Sequence, residues 1–361
     1  EESKKGSKDS EGIKDSVTEA YENRIRAFSS PEKVFQLFAT TQKDGEAHMH
    51  PKDFLRSIHP TRHTGQPSRR QGAAAKRLFQ LVDLNGDGLI SYHEYIFFMT
   101  MLSLPPSRFK VAFEMFDLDS NGSLDQKEFA SMIEVLKSKS AMGASSHSNA
   151  VSTSNKVKSA KSKEAQVHKG KYPVLFGQRG LKTLTYSRFA GFLDQLQKDL
   201  VTLEFESFGP VEDSITAGAF ATSLVSHVYP NQYKSYMKRI KLIDESTRVT
   251  YEQFLAFEQV LANLDDISVA INTFSAANGG FGKEHLKHAA KVVAGVKLDA
   301  GMVDVIFDVF DSDKSGTLEN DEFLAVMQVR RFHGASRRRT VDVGAFMGCC
   351  QGCFVDNLTL S

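Results

Sequence analysis

Three twelve-residue segments of this 361-residue chain repeat one spacing of oxygen-bearing side chains. They are DLNGDGLISYHE at residues 83–94, DLDSNGSLDQKE at residues 117–128 and DSDKSGTLENDE at residues 311–322. In each, positions 1, 3, 5, 9 and 12 carry side-chain oxygens, position 6 is glycine and position 12 is glutamate. A hard cation that takes about six to eight oxygen ligands requires such spacing, because the chain must curl until alternate residues face one centre. The three segments are therefore predicted to be calcium-binding loops.

The chemistry of calcium explains each residue type in these loops. Glycine at position 6 permits a sharp turn, position 7 gives its backbone carbonyl oxygen, and glutamate at position 12 closes the site with two oxygens. The predicted ligands of the first loop are Asp83, Asn85, Asp87, Leu89, Ser91 and Glu94. Those of the second loop are Asp117, Asp119, Asn121, Ser123, Asp125 and Glu128. Those of the third loop are Asp311, Asp313, Ser315, Thr317, Glu319 and Glu322. Three complete matches make ordinary solvated acidic turns a poor explanation.

Apolar residues frame each loop at a constant interval. The pairs, thirteen residues apart, are Val82 and Tyr95, Phe116 and Phe129, and Phe310 and Phe323. They are predicted to be core positions of the entering and exit helices, which makes each segment an EF-hand. Ile90, at position 8 of the first loop, is expected to face away from the ion and to pair with a neighbouring loop.

Length and composition set the broad class. A chain of 361 residues exceeds one EF-hand pair and suits two or more lobes, and 27 phenylalanines allow substantial cores. A net charge of +1 argues against a bulk nucleic-acid binder. No run of eighteen apolar residues occurs, so no bilayer span is expected, and the first residues lack the apolar core of a signal peptide.

Between the complete loops the EF-hand frame persists without its ligands. The first such unit runs from Phe176 to Phe189 and has Arg188 at position 12, where a cation would repel calcium. Another, between Phe208 and Phe220, has Ala219 there, and weaker units lie near residues 240–254 and 274–286. We interpret these four silent units as packing partners in an array of helix–loop–helix repeats. A further degenerate hand is expected near residues 42–50, with its returning helix starting near Pro51.

The segments between the repeats differ in composition. Residues 1–15 are expected to be a flexible arm, and a helix start is predicted at Ser29 or Ser30 before Pro31. Residues 60–72 are predicted to form a surface loop, and residues 137–171, rich in Ser, Ala and Lys, a linker or disordered insertion. The lysines of that insertion suit a solvated run better than an acidic or lipid surface.

The fold class is therefore predicted to be all-α, with multiple EF-hand repeats in two lobes. The predicted division is an N-terminal arm and domain at 1–68, an N-terminal EF-hand lobe at 69–205 with the insertion at about 138–170, a C-terminal EF-hand lobe at 206–334 and a C-terminal helix or tail at 335–361.

Four runs of the sequence resemble one known family. They are YENRIRAFSSPEKVFQLFAT, ISYHEYIFFMTMLSLPPSRFKVAFEMFDLDSNGSLDQKEF, LQKDLVTLEFESFGPVEDSIT and VDVIFDVFDSDKSGTLENDEFLAVM. Together they are similar to the mitochondrial calcium uptake proteins, the gatekeepers of the mitochondrial calcium uniporter. The resemblance covers about residues 21–331 and includes the long gap between active hands. The complete first loop departs from the best-known animal members, where its counterpart is degenerate, and is similar to plant members, which suggests a plant origin.

The resemblance implies a calcium-sensing subunit in the mitochondrial intermembrane space, peripheral on the inner membrane, that docks as a homo- or heterodimer over the pore subunit. Arg24 and Arg26, with Lys33 beside them, are candidate basic contacts with an acidic channel mouth. Solvation or an internal salt bridge explains these three residues equally well.

The C-terminal tail combines basic runs with all three cysteines of the chain, Cys349, Cys350 and Cys353. A zinc site lacks a fourth ligand nearby. The resemblance makes a dimer-linking disulfide plausible, against unpaired or lipid-modified thiols. Arg330, Arg331 and residues 337–339 are expected to be solvated or to meet acidic lipid headgroups.

Three functions from different classes are compatible with the sequence. The first is a calcium-sensing regulatory subunit of the uniporter, and the second is a calcium-dependent adaptor or phosphatase regulatory subunit. The third, an enzyme with an EF-hand module, is disfavoured because no nucleotide loop, hydrolase motif or nucleophile–base setting is found outside the repeats.

Overall fold

The computed structural model describes residues 22, 25–26, 29–58, 68–103, 106–139, 172–177, 179–226, 228, 230–278, 280–318 and 320–331. The helices are α1 Pro31–Phe38, α2 Pro51–Ile58, α3 Arg69–Val82, α4 Tyr92–Ser103, α5 Pro106–Phe116, α6 Gln126–Lys139, α7 Pro173–Phe176, α8 Tyr186–Ser207, α9 Ala217–Leu224, α10 Pro230–Ile240, α11 Tyr251–Ala262, α12 Leu264–Asn278, α13 Lys283–Val293, α14 Ala300–Phe310 and α15 Asn320–Arg331. The strands are β1 Thr41–Lys43, β2 Glu46–Met49, β3 Ile90–Ser91, β4 Ser123–Leu124, β5 Leu184–Thr185, β6 Ser214–Thr216, β7 Arg248–Thr250, β8 Phe281–Gly282 and β9 Thr317–Leu318. The prediction of a helical chain of helix–loop–helix repeats is confirmed.

Short antiparallel strands join the loops in pairs. At position 8 of each loop the paired residues are Met49 and Ile90, Leu124 and Leu184, Ile215 and Val249, and Phe281 and Leu318. Among the residues that the structure describes, these ladders make four loop pairs. Each calcium loop is paired with a silent loop rather than with another calcium loop. The prediction that Ile90 pairs with a neighbouring loop is confirmed.

The chain divides into two compact units. The first contains the described residues up to 58 together with 75–199, and so both the first and the second calcium loops. The second contains the described residues 68–74 and 200–331, and so the third calcium loop.

The core of the first unit is built from aromatic rings. Phe54 lies 5.2 Å from Phe98 and 6.3 Å from Phe79, measured between ring centroids. Phe129 lies 5.3 Å from Phe176, which precedes a silent loop. Because burying such a ring contributes about 1.5–3 kcal/mol, these contacts hold silent and active hands together as one core.

The second unit repeats this arrangement around α11 and α15. Phe254 lies 5.5 Å from Phe205, and Phe310 lies 5.3 Å from Phe323 across the third loop. Of the six predicted frame residues, five are buried and Phe116 is half-buried. The frame positions therefore serve as core, as the interval predicts.

Local sequence explains how the first elements form. Helix α1 begins after Ser30, whose side chain accepts a hydrogen bond from the backbone N–H of Lys33, with Pro31 in the first turn. Strands β1 and β2 form a hairpin whose turn residues, Asp44 and Gly45, have φ values of 53° and 82°. A two-residue turn with both φ values positive is the type that favours a tight hairpin. This hairpin replaces the open loop of the predicted degenerate hand, and α2 begins at Pro51 as expected.

Two predicted irregular segments are partly helical. Residues 69–72 belong to α3, because the side chain of Ser68 accepts a hydrogen bond from the backbone N–H of Gln71 and so caps the helix there. The surface-loop prediction is therefore wrong for these four residues. Residues 137–139, assigned to the linker, are the last residues of α6. Residues 60–67 and 140–171 of these segments, residues 1–15 and the tail beyond residue 331 lie outside the described residues.

Arg330 corrects the interpretation of the C-terminal basic run. Its residue is only 2% exposed, and its guanidinium pairs with Glu204, at 2.7 Å, and with Glu258. The prediction that Arg330 is solvated or meets lipid headgroups is wrong, because the helical register of α15 turns this side chain into the second unit.

Candidate metal centres

The position-1 aspartate organises each calcium loop through the same hydrogen bond. One oxygen of its carboxylate accepts from the backbone N–H of the position-6 glycine. The nitrogen–oxygen distances are 2.9 Å for Gly88 and Asp83, 2.8 Å for Gly122 and Asp117, and 2.9 Å for Gly316 and Asp311. The loop is therefore curled around its first ligand by bonds that belong to the protein itself.

Left-handed backbone conformations produce this curl. At position 6 the φ values are 80°, 79° and 78° in the three loops, and glycine adopts them without the steric cost of a β-carbon. A β-carbon at Gly122 would meet no atom within 4 Å, so glycine is needed there for its backbone conformation and not for space. Position 4 is also left-handed, at Gly86, Ser120 and Lys314. Sequence reasoning did not identify position 4, because serine and lysine carry no signal for this conformation.

The position-12 glutamates face back across their loops. Glu94 is buried, and its carboxylate accepts from the backbone N–H groups of Leu84 at 3.0 Å, Asn85 at 3.1 Å and Ser91 at 2.9 Å. Burial raises the pKa of Glu94, while the hydrogen bonds from Ser91 act in the opposite direction. In the second loop Glu128 accepts in the same way from Leu118 at 3.1 Å and from Asp125 at 2.9 Å.

The second loop brings three carboxylates to one point. Asp117, Asp119 and Glu128 each offer an oxygen, and these oxygens lie within 4.8 Å of one another. Calcium binds oxygen at about 2.3–2.6 Å, so one ion can span oxygens separated by such distances. The donors are carboxylates, with neither imidazole nor thiolate among them, which suits a hard cation. The residues present therefore fit calcium.

The described half of the third loop repeats the arrangement. The backbone N–H of Ser315 donates to both Asp311 and Asp313 at 3.0 Å. The side-chain hydroxyl of Ser315 lies 2.9 Å from that of Thr317. Glu319 and the side chain of Glu322 lie outside the described residues, so four of the six predicted ligands of this loop are placed.

Two of the silent loops keep an uncharged acceptor at position 12, whereas Arg188 and Ala219 occupy that position in two others. The position-12 side chains of Gln253 and His285 accept from the backbone N–H three residues earlier, at 2.8 Å and 3.1 Å. That bond caps the exit helix, as it does for Glu94 and Glu128. Capping needs only an acceptor, whereas calcium needs a bidentate carboxylate. Helix capping therefore survives in loops that have lost their metal ligands.

Lys43 enters the first calcium loop from the paired hairpin. Its ammonium nitrogen lies 2.7 Å from a carboxylate oxygen of Asp87, the predicted position-5 ligand. The hydrogen bond to Asp87 raises the pKa of Lys43. Partial burial alone would raise the pKa of Asp87, but the bonds from Lys43 and Leu89 hold it below its usual value. No feature of the sequence pointed to this contact.

The predicted partner residues have different surroundings. The side chain of Arg26 is only 9% exposed; it pairs with Glu22 at 3.3 Å and lies over the ring of Phe38 at 5.4 Å from its centroid. This arrangement favours the internal salt bridge for Arg26. Lys33 is exposed on α1, whereas Arg24 lies outside the described residues. Cys349, Cys350 and Cys353 also lie outside them.

None of the helices in the described ranges combines the length and the apolar character needed to cross a bilayer.

Comparison with known proteins gives matches over the same elements. The family described as "EF-hand domain pair" matches residues 277–330, and the family described as "EF hand" matches residues 75–99 and 109–133. These matches cover all three calcium loops. Among solved structures, the crystal structure of EFHA2 in its apo state has a TM-score of 0.63 at 26% identity and covers 85% of this chain and 98% of that one. EFHA2 in its calcium-binding state has a TM-score of 0.58 at 26% identity, covering 84% and 99%.

Relatives of known sequence extend the likeness to almost the whole chain. Calcium uptake protein 1, mitochondrial, of Danio rerio is 32% identical over 372 residues, which are 94% of this chain and 75% of the relative. The human protein of that name is 31% identical over 368 residues, covering 95% and 75%. Calcium uptake protein, mitochondrial, of Arabidopsis thaliana is 32% identical over 330 residues, covering 86% and 65%. The chain therefore belongs to the mitochondrial calcium uptake protein family.

Proposed function

We propose that this chain is a calcium-sensing regulatory subunit that gates the mitochondrial calcium uniporter, blocking uptake at low calcium and releasing the block when calcium binds. One observation supports this most strongly. Calcium-type loops with one shared hydrogen-bonding scaffold lie in an array of otherwise silent hands, and the array aligns over 94% of the chain with a mitochondrial calcium uptake protein. The residue sets of the three loops stated above are the proposed ligands.

The mechanism follows from the charges that each loop gathers. Without an ion, Asp117, Asp119 and Glu128 hold unneutralised carboxylates close together and repel one another. When bound, calcium supplies the positive charge that offsets this repulsion. Asp117 ends the entering helix and Glu128 lies in the exit helix, so drawing both toward one centre changes the angle between these helices.

Differential affinity converts that change into regulation. A conformational change controls docking only if the docked and free states bind calcium differently. Moving such an equilibrium from 1:99 to 99:1 takes about 5.5 kcal/mol, which several coupled loops supply more easily than one. Three loops in one chain therefore suit a switch better than a simple store.

The chain acts in mitochondria, as the names of its relatives indicate. We place it in the intermembrane space, peripheral on the inner membrane, as a homo- or heterodimer over the uniporter pore subunit. Arg24 and Lys33 are proposed contacts with an acidic channel mouth, whereas the ion pair of Arg26 with Glu22 favours an internal role for Arg26. A disulfide through Cys349, Cys350 or Cys353 is proposed to link the dimer, and the tail arginines beyond residue 336 remain candidates for acidic lipid headgroups. We propose no enzymatic activity.

Calcium uptake by mitochondria that lack their own gatekeeper tests the proposal. The wild-type chain is expected to suppress uptake at low external calcium and to permit it at high calcium. The triple variant Glu94→Gln, Glu128→Gln and Glu322→Gln is expected to suppress uptake at both, because its loops no longer close around the ion. Glu252→Gln, an exposed glutamate beside a silent loop, is the matched control and should behave as wild type.

Two results would contradict the proposal. One is unchanged uptake at low calcium in the presence of the wild-type chain. The other is a triple variant that releases its block at the same calcium concentration as the wild type. The alternative function, a calcium-dependent adaptor or phosphatase regulatory subunit, is separated by a pulldown with the uniporter pore subunit, which an adaptor of another pathway would not retain.

A further inference from the structure

The three calcium loops differ in the charge that they offer. The first loop has three carboxylates at its ligand positions, and the second and third have four each. Position 5 is the exception to this order, because there the first loop has the carboxylate Asp87, whereas the others have the uncharged residues Asn121 and Ser315. Ligand charge is one of the properties that set calcium affinity in an EF-hand. Fewer carboxylates already make the first loop the least negative of the three.

A positive charge from outside the loop lowers this total further. Lys43 lies at the end of β1, and β1 pairs with β2, which in turn pairs with β3 of the first loop. This short sheet places the ammonium group 2.7 Å from Asp87. The side chain of Lys43 is 43% exposed and that of Asp87 is 25% exposed, so solvent partly screens the pair.

The described ligands of the other two calcium loops have no equivalent cation; Glu319 and the side chain of Glu322 are not among the described residues. Within the described part of the chain, no lysine or arginine forms an ion pair with a ligand-position carboxylate of the second or third loop. The silent loops that pair with them carry Lys182, Arg188 and Lys283. Lys283 pairs with Asp304, and neither Lys182 nor Arg188 forms an ion pair with a described ligand of the second loop. Among the ligands that the structure describes, the lysine contact is therefore specific to the first pair.

We infer that Lys43 is an affinity-setting residue of the first calcium loop, which it makes the weakest of the three sites and the last to fill. The inference rests on the proposed calcium binding of all three loops. Its physical basis is direct: an ion entering the first loop must approach a lysine that already partly neutralises one ligand, and the lysine repels it. A silent hand thereby tunes the active hand beside it.

A purely structural role for Lys43 predicts the opposite change in calcium affinity. If Lys43 chiefly held Asp87 in its binding position, removing it would loosen the loop and weaken calcium binding. If its charge dominates, removing it tightens binding. The sign of the change in Kd therefore decides between the two roles.

Isothermal titration calorimetry on the full chain measures that sign. In a Glu128→Gln, Glu322→Gln background only the first loop is left to bind calcium. Lys43→Gln is expected to lower its Kd by roughly three- to tenfold, as one charge near a divalent ion does when partly screened. Lys43→Arg keeps the charge and should leave Kd within about twofold of the background. Lys52→Gln removes an exposed lysine of α2 in the same unit and should do the same.

Raising the salt concentration should narrow the difference between Lys43→Gln and the background, because screening weakens the lysine's repulsion. A Kd that is unchanged or higher in Lys43→Gln overturns the inference. The inference is also overturned if the Glu94→Gln variant, compared with the wild type, loses the tightest calcium-binding step rather than the weakest. Failure of the proposed function is distinct, because it appears as unchanged mitochondrial uptake in the presence of the wild-type chain, whatever the Kd of the first loop. Circular dichroism of each variant verifies that the helical fold is retained.

Discussion

Replacing Arg330 with methionine should destabilise the second unit more than any surface change. The side chain of Arg330 is only 1% exposed, and its guanidinium pairs with Glu204 at 2.7 Å and with Glu258. It also lies over the rings of Phe254 and Phe257, at 5.8 Å and 6.0 Å from their centroids. Methionine fills the place of the arginine stem, so the main loss is electrostatic.

The magnitude follows from what is left behind. Removing one partner of a buried ion pair costs about 3–5 kcal/mol, because the remaining charge is buried without compensation. Here two carboxylates remain, and burial already raises the pKa of Glu258 to about 7, with Arg330 opposing the shift and Glu204 adding to it. Without Arg330 the pKa of Glu258 should rise further, so Glu258 would be largely protonated near neutral pH and Glu204 would be the main uncompensated charge.

Hydrogen exchange in α11 and α15, read alongside urea unfolding, is the appropriate assay because it reports on the second unit separately. Arg330→Met should reduce the opening free energy of these helices by about 3–5 kcal/mol near neutral pH. Adding Glu204→Gln should restore part of it, since that change removes the main uncompensated charge. Lys238→Met, an exposed lysine of α10, is the matched control. A loss below about 1 kcal/mol in Arg330→Met would refute the reasoning, because surface ion pairs contribute that little.

Three further results are expected. Replacing the position-12 glutamate of any one calcium loop by glutamine should remove one of three binding events in calorimetry, whereas Glu252→Gln should leave all three; an unchanged count after the glutamate replacement would exclude that loop as a site. Gly122→Ala should lower the free energy of unfolding by about 1–2 kcal/mol, measured by heat or urea, because the φ of Gly122 is 79°. Gly191→Ala, inside helix α8, should raise that free energy by about 0.5–1 kcal/mol. Equal effects of the two replacements would show that backbone conformation is not the cause. The pKa of Glu258 is raised in the folded state, so its contribution to folding stability is complete below about pH 4.5 and is lost as pH rises through about 7. Hydrogen exchange in the second unit should therefore accelerate over that interval by more than the intrinsic exchange rate does. Glu258→Gln should remove this additional acceleration.

Loop chemistry was predictable because its causes lie within twelve residues. The aspartate at position 1 accepts from the backbone N–H of the glycine at position 6, and the glutamate at position 12 accepts from a backbone N–H of the same loop. The thirteen-residue frame was predictable for a similar reason, since helical periodicity places Phe310 and Phe323 on the inner faces of adjacent helices. The silent units were also visible, because the apolar frame persists where the carboxylate ligands are lost.

Some local errors came from composition. Residues 69–72 contain arginine and glycine and were assigned to a loop, yet Ser68 caps a helix there. Position 4 of the calcium loops adopts positive φ at Ser120 and Lys314, although neither residue type favours that conformation. In both cases the conformation is fixed by hydrogen bonds that composition does not encode.

The amino-acid sequence alone determined where the oxygen ligands lie and which hands are silent, because those properties depend on spacing along one short segment. Only the tertiary structure decided which loop pairs with which, that Lys43 meets Asp87 across 44 residues, and that Arg330 is buried against Glu204 across 126 residues. The physical reason is that these contacts join residues whose approach depends on how whole helices pack. The sequence does not show whether packing buries a charged side chain or leaves it in water.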